Sequence, residues 1–231
     1  MIPYLILFVG TMLLSLWAMA RVKSVYQRYS QVPGSAGYTG AQVAASILQR
    51  AGINDVEIVE HNVMLGDHYD PTHKRLVLST QNYRGTSLAA IGVSAHECGH
   101  AIQHKIAYGP LHWRMAAVGI TNYASQIVFW IPMIGLFGGF FSGYTAILIM
   151  AVCFGVIMLF NLITLPVEFD ASRRAKLILN EMGFTRSQEE DKGVEKILNA
   201  AAWTYVAAFI TSLAYFLWYL LPLLTGRSSD D

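Results

Sequence analysis

The sequence predicts a mostly α membrane protein with four transmembrane helices and a small α+β domain on the cytoplasmic side. Three observations carry that prediction. Hydrophobic residues make up 54% of the 231 and charged residues 13%, with a mean hydropathy of +0.41, too apolar for an ordinary soluble domain. No charge occurs in the first 20 residues, nor from Met115 through Val167, a run of 53. The 16 Lys and Arg are also sorted, with nine in 21–114, six in 166–199 and only Arg227 elsewhere.

Residues 1–20 form the first span. Arg21, Lys23 and Arg28 follow it, the order of a signal anchor with its N-terminus outside; a cleaved signal carries its charge first, so Ala18-Met19-Ala20 only imitates a cleavage site. At about 20 residues per crossing, 115–165 holds two spans with a hairpin at Gly135 to Gly143, and 200–225 forms a fourth before the tail 226–231. Four crossings put 21–114 and 166–199 on one face, which the positive-inside rule makes cytoplasmic. The net charge of +1 gives no reason for a nucleic-acid partner. Cys98 outside the bilayer and Cys153 within a span read as packing residues and not as a disulfide.

In the first cytoplasmic segment, Ser24 to Tyr38 is a polar connector without periodicity. Thr39-Gly40-Ala41-Gln42 is a capping box, and Val43, Ala44, Ile47, Leu48 and Ala51 give the apolar face of a helix from Gly40 to Ala51. Two strands follow, Val56 to Glu60 and Arg75 to Ser79, separated at Asp70-Pro71, with His61, His68 and Tyr69 in the loop between them. A helix over Leu88 to Ile106 starts at Thr86 or Ser87 and closes at Gly109-Pro110. In the second segment Pro166 opens a helix that ends near Gly183. Ser187-Gln188-Glu189-Glu190 then caps a helix with Val194, Ile197 and Leu198 on one face, which runs into the last span. Glu189, Glu190 and Asp191 suit its positive first turn.

The Leu88 to Ile106 helix contains His96-Glu97-Cys98-Gly99-His100, the pattern H-E-x-x-H, which makes the small domain zincin-like. Residues four apart stand above one another on a helix, so His96 and His100 can share one zinc ion while Glu97 stands beside the open position. Zinc lowers the pKa of water from about 15.7 to about 7, within reach of a carboxylate acting as general base. His104 lies two turns beyond His96, about 12 Å along the axis, too far to share the ion. The longer metzincin pattern fails at Gln103 and Ile106. A catalytic zinc takes three protein ligands, and the third must lie on the same membrane face. Two crossings after Trp113 return the chain to that face, where Glu168 is the first carboxylate met. Asp170 is its rival and points about 200° away from it on a helix, so the two do not both face the metal. The bland alternative makes Glu168 a charge near a helix N-terminus. An exposed sheet edge before the motif offers a place for an extended polypeptide to add as a strand, or is simply a structural hairpin. His61, His68 and Tyr69 are the candidate donors to an oxyanion.

The anchor followed by VKSVYQRYS, the TGAQVAASIL helix, GDHYDP at Gly66 to Pro71, AAIGVSAHECGHAIQH at Ala89 to His104 and LPVEFDASRRA at Leu165 to Ala175 resemble the YugP-like family of neutral zinc metallopeptidases in bacterial membranes, over nearly the whole chain. The arrangement is more distantly similar to HtpX and the CAAX prenyl protease, where a carboxylate on a later helix completes the site. That resemblance favours Glu168 over Asp170. It also exposes a departure: the HtpX-like pattern runs E-x-x-x-D, and here Ser172 holds the last position, so the acidic partner is missing or comes from Asp170 or elsewhere. The resemblance implies an integral protein of the bacterial inner membrane that binds one zinc per chain and hydrolyses peptide bonds in an extended polypeptide. A scaffold or chaperone-like protein with a structural zinc is the reading of a different class, marked by a fourth protein ligand. Intramembrane proteolysis would need the motif helix within the bilayer, against which stand Gln81-Asn82-Tyr83-Arg84 before it and Gln103-His104-Lys105 at its end.

Overall fold

The computed structural model describes residues 2–63, 66–138 and 143–225, and for 133–138 the backbone alone. Its elements run α1 (Ile2–Tyr29), α2 (Gly40–Arg50), β1 (Glu57–His61), β2 (His68–Asp70), β3 (Arg75–Ser79), α3 (Thr80–Arg84), α4 (Leu88–Lys105), α5 (Gly109–Gly138), α6 (Gly143–Glu181) and α7 (Gln188–Thr225). Contacts divide them into two compact units. The first falls within Met1–Leu16, Trp113–Leu165 and Tyr205–Asp231, the second within Trp17–His112 and Pro166–Thr204.

In the first unit α1, α6 and α7 pack through rings and a few polar links. Phe154 stacks on Tyr215 and Tyr219, with centroids 4.9 and 5.6 Å apart, and Tyr4 meets Tyr215 edge-on. The Asn161 amide donates to Ser212 Oγ at 3.0 Å and to the Ala208 carbonyl at 3.2 Å, the kind of bond that ties apolar helices together where no water competes. Three described helices, α1, α6 and α7, are long and apolar enough to cross a membrane. Helix α5, of which 133–138 are described by backbone alone, is not among them. Of the turn expected over Gly135 to Gly143, residues 135–138 continue α5 and Gly143 opens α6, while 139–142 lie outside the described residues, as does the tail from Arg227.

The second unit is built around α4. Thr39 caps α2 with both bonds of the capping box, and α2 buries Val43, Ala44, Ile47 and Leu48 in a core shared with Ile91, Ala95 and Cys98 of α4 and Leu179, Val194 and Leu198 of α6 and α7. The sheet order is β1-β3-β2, with β3 central and its Leu76 and Leu78 fully buried. Burial of each contributes about 1.5–3 kcal/mol.

Several expected boundaries change. The two anticipated strands pair in parallel, Glu57 opposite Arg75 through His61 opposite Ser79, so they are not a hairpin. Between them lies an extra strand, β2, antiparallel to β3, which places His68 and Tyr69 on a strand, with His61 ending β1. The turn from β2 to β3 is set by Asp70, whose Oδ1 accepts from the amides of Thr72 and His73. Asp67, just ahead of β2, accepts from the Ser79 amide at 2.7 Å and from Asn82 Nδ2 at 3.0 Å, and Asn82 in turn accepts from the Tyr26 hydroxyl. The connector begins later than its polarity suggests, since α1 continues to Tyr29 with Tyr26 buried.

Ser87 caps α4, but Gly109-Pro110 opens α5 instead of closing α4. The closing turn is Ile106 to Tyr108, where Ala107 adopts φ 54° and the Tyr108 amide reaches back to the Gln103 carbonyl. Nor does Pro166 start a helix: α6 runs unbroken from Gly143 to Glu181. Its missing amide removes one helical bond, a loss that long apolar helices accommodate. Ser187 accepts from the Glu190 amide as a cap should, but the Glu190 carboxylate turns to the Arg186 amide and to Ser35 instead of closing the box.

Candidate metal centre

Residues 96 and 100 are one turn apart on α4, and their rings stand edge to face with centroids 4.8 Å apart. Across from them α6 presents Glu168, 3% exposed, with Oε2 lying 3.3 Å from His96 Nε2 and 3.6 Å from His100 Nε2. Among the described residues this trio is a group able to hold a metal ion, with one ligand atom from each residue and all within 4.8 Å of one another. Glu168 stands well inside α6, which begins at Gly143, so a helix-capping role does not apply.

The approach of the two helices depends on the residue between the histidines. A Cβ built on Gly99 would lie 2.7 Å from the Ala171 carbonyl oxygen and 3.0 Å from its Cα, closer than real side chains come. Only glycine at 99 lets the α6 backbone pass near enough for Glu168 to meet both rings.

Each histidine is also held from behind. His96 Nδ1 lies 3.2 Å from Ser172 Oγ, and His100 Nδ1 lies 3.0 Å from Gln103 Oε1. Metal-binding histidines are commonly oriented by such a contact on the ring nitrogen that faces away from the metal. Burial pushes the His100 imidazole toward its neutral form, but the hydrogen bond to Glu168 and the charges of Glu97 and Glu168 outweigh it and hold its pKa above the ordinary value. Two imidazoles and a carboxylate on one small volume, with both far nitrogens supported, are a donor set that fits zinc. Glu97 is 7% exposed and follows His96 on the same turn.

The other sequence candidates lie elsewhere. Asp170 faces Gln103, Arg173 and Arg174 and is not a member of the trio. Tyr69 meets His104 Nδ1 through its hydroxyl at 2.8 Å, two turns of α4 beyond His96; burial, then the charges of Asp55 and Asp70, push its phenol up, so it remains a neutral donor. His68 Nδ1 sits 2.8 Å from the Gly66 carbonyl, and His61 is exposed at the end of β1. Cys98 and Cys153 are both free thiols; burial, reinforced by Glu97, raises the Cys98 thiol far above its usual range and leaves it a packing residue. Gln103 and Gly99 are what sequence reasoning missed. Their signal was position alone, one three residues after His100 on its face and the other inside the motif.

Comparison with known proteins agrees with this geometry. The model of a family described as "Putative neutral zinc metallopeptidase" matches residues 4–224. A protein of Bacillus subtilis (strain 168) named "Putative membrane protease YugP" is 41% identical over 227 residues, covering 98% of this chain and 99% of that one. No solved structure matches the chain. Matched along nearly its whole length, the chain belongs to that neutral zinc metallopeptidase family.

Proposed function

We propose that the protein is a membrane-embedded zinc endopeptidase in which His96, His100 and Glu168 hold one metal ion and Glu97 is the general base. The observation that carries this reading is the convergence of those three side chains within 4.8 Å on the helix turn that also bears Glu97. Zinc in such a site supplies Lewis acidity, polarising a carbonyl and making a nearby water acidic enough to ionise near neutral pH. The residues do the rest. Glu97 takes a proton from the water as its oxygen adds to the peptide carbonyl carbon, then delivers that proton to the amide nitrogen as the C–N bond breaks. A scaffold with structural zinc would need a fourth protein ligand, and the trio among the described residues has three donors.

The surrounding architecture in this proposal is four spans, with α5 as the second, and the metal centre on the cytoplasmic face with the 15 basic residues of 21–114 and 166–199. The substrate is an extended polypeptide, for which β1 and β2 are the edge strands of the sheet. The test is Glu97→Gln in the purified full chain. It should retain close to one zinc per chain and lose peptide hydrolysis by several orders of magnitude. Turnover equal to that of the unaltered protein would sink the enzyme reading, and loss of zinc would mean that Glu97 is a ligand.

A further inference from the structure

Gln103 lies one turn beyond His100 on α4, on the same face, and none of it reaches solvent. Its amide nitrogen is 2.8 Å from the Val167 carbonyl oxygen and 3.0 Å from Asp170 Oδ2, on the two sides of Glu168 along α6. A carbonyl and a carboxylate only accept, so the NH2 end of the amide must be the end that faces them. Asp170 also accepts from the guanidinium groups of Arg173 and Arg174, so its oxygens face donors on every side that the described residues show. The amide oxygen is thereby turned to His100 Nδ1 at 3.0 Å and, having no proton to give, accepts one. Nδ1 must then carry the ring proton. In the neutral ring, the form that binds a metal, the lone pair is then on Nε2, the nitrogen on the Glu168 side.

We infer that Gln103 is a positioning residue of the metal centre. Oriented from α6 by Asp170 and Val167, it locks His100 in the tautomer whose Nε2 can bind a metal, and it holds the turn of α4 bearing His100 in register with the turn of α6 bearing Glu168. The inference rests on the zinc site proposed above. It also gives Asp170 a role: the acid acts on the histidine at one remove, through an amide, while His96 is supported directly by the Ser172 hydroxyl.

The test needs no substrate. Zinc affinity of the purified full chain in detergent is read by competition with a chromophoric chelator. Gln103→Leu keeps the volume and removes both polar ends, and should weaken zinc about 10–100-fold. Gln103→Glu turns the orienting donor into an acceptor facing two acceptors and should also weaken zinc. Adding Asp170→Asn gives the new carboxylate a donor to meet, and the double variant should recover most of the loss, as a packing role would not. His100→Ala reads the parent site separately: undiminished zinc binding there would overturn the metal centre itself. With zinc lost in His100→Ala, the inference on Gln103 is overturned by unaltered affinity in Gln103→Leu, or by a double variant that binds no tighter than Gln103→Glu. Should Gln103→Leu not fold, the comparison of Gln103→Glu with the double variant decides alone.

Discussion

At the scale of residues, the site is an arrangement of few groups, and the donors are backed unequally. His100 is held by an amide that is itself fixed at its other end, whereas His96 has a single hydroxyl, Ser172 Oγ, at 3.2 Å. Ser172→Ala removes that acceptor and should weaken zinc about tenfold without changing stoichiometry at saturating metal, measured by chelator competition. Affinity equal to the unaltered protein would show that ring packing alone orients His96. The approach of His96 to His100 was legible because the two stand within five consecutive residues, with the proposed base Glu97 between them, and helix geometry does the rest. Glu168 needed an argument about membrane parity. Gln103 was not legible: its position on the His100 face can be read from spacing, but its partners Val167 and Asp170 are 64 and 67 residues away in sequence.

At the scale of elements, the close crossing of α4 and α6 is what brings two histidines to one carboxylate. Two glycines of α4 separate this effect from helix propensity. A Cβ at Gly92 would meet Val194 methyls at 3.5 Å, ordinary contact, whereas at Gly99 it would meet backbone at 2.7 Å. Alanine favours a helix interior over glycine by about 1 kcal/mol, so Gly92→Ala should be neutral or stabilising. Gly99→Ala should instead destabilise by about 1–3 kcal/mol through overpacking, and lower zinc content as Glu168 is pushed away. Thermal unfolding and metal analysis of both variants check this; a Gly99→Ala protein as stable and as zinc-replete as Gly92→Ala would remove the argument. The helices α2 and α4 were predictable from capping residues and an apolar face. The strand β2 was not, since its three residues His68 to Asp70 are too short and too polar to show a period, and their pairing depends on β3 already lying beside β1. Pro166 misled for a related reason: a proline ends most helices by its lost bond, but α6 is long enough on both sides to carry the gap.

At the scale of the whole molecule, composition announced a membrane protein, and three described helices have the length and apolarity to cross a bilayer. The proposed four-span arrangement requires α5 to cross despite Asn122, Ser125 and Gln126, and it is the distribution of basic residues that demands the crossing. Single cysteines at Ser35 and Gln188 should therefore react with an impermeant thiol reagent only from the cytoplasmic side. Cysteines at 139–142 and after Arg227 should react only from the other. Labelling of Ser35 and Gln188 from opposite sides would rule out four spans. The apolar length of 115–167 could be counted from the sequence, but polar residues within a span depend for their tolerance on neighbouring helices, which sequence does not display.

The central claim is that a carboxylate from α6 completes a zinc site begun by two histidines on α4. Zinc content and peptide turnover of purified Glu168→Ala and Asp170→Ala proteins test it most directly. Glu168→Ala should lose bound zinc and turnover together, while Asp170→Ala, which removes a group acting through Gln103, should still load zinc when the metal is in excess. Full zinc occupancy and undiminished turnover in Glu168→Ala, with both lost in Asp170→Ala, would contradict the account.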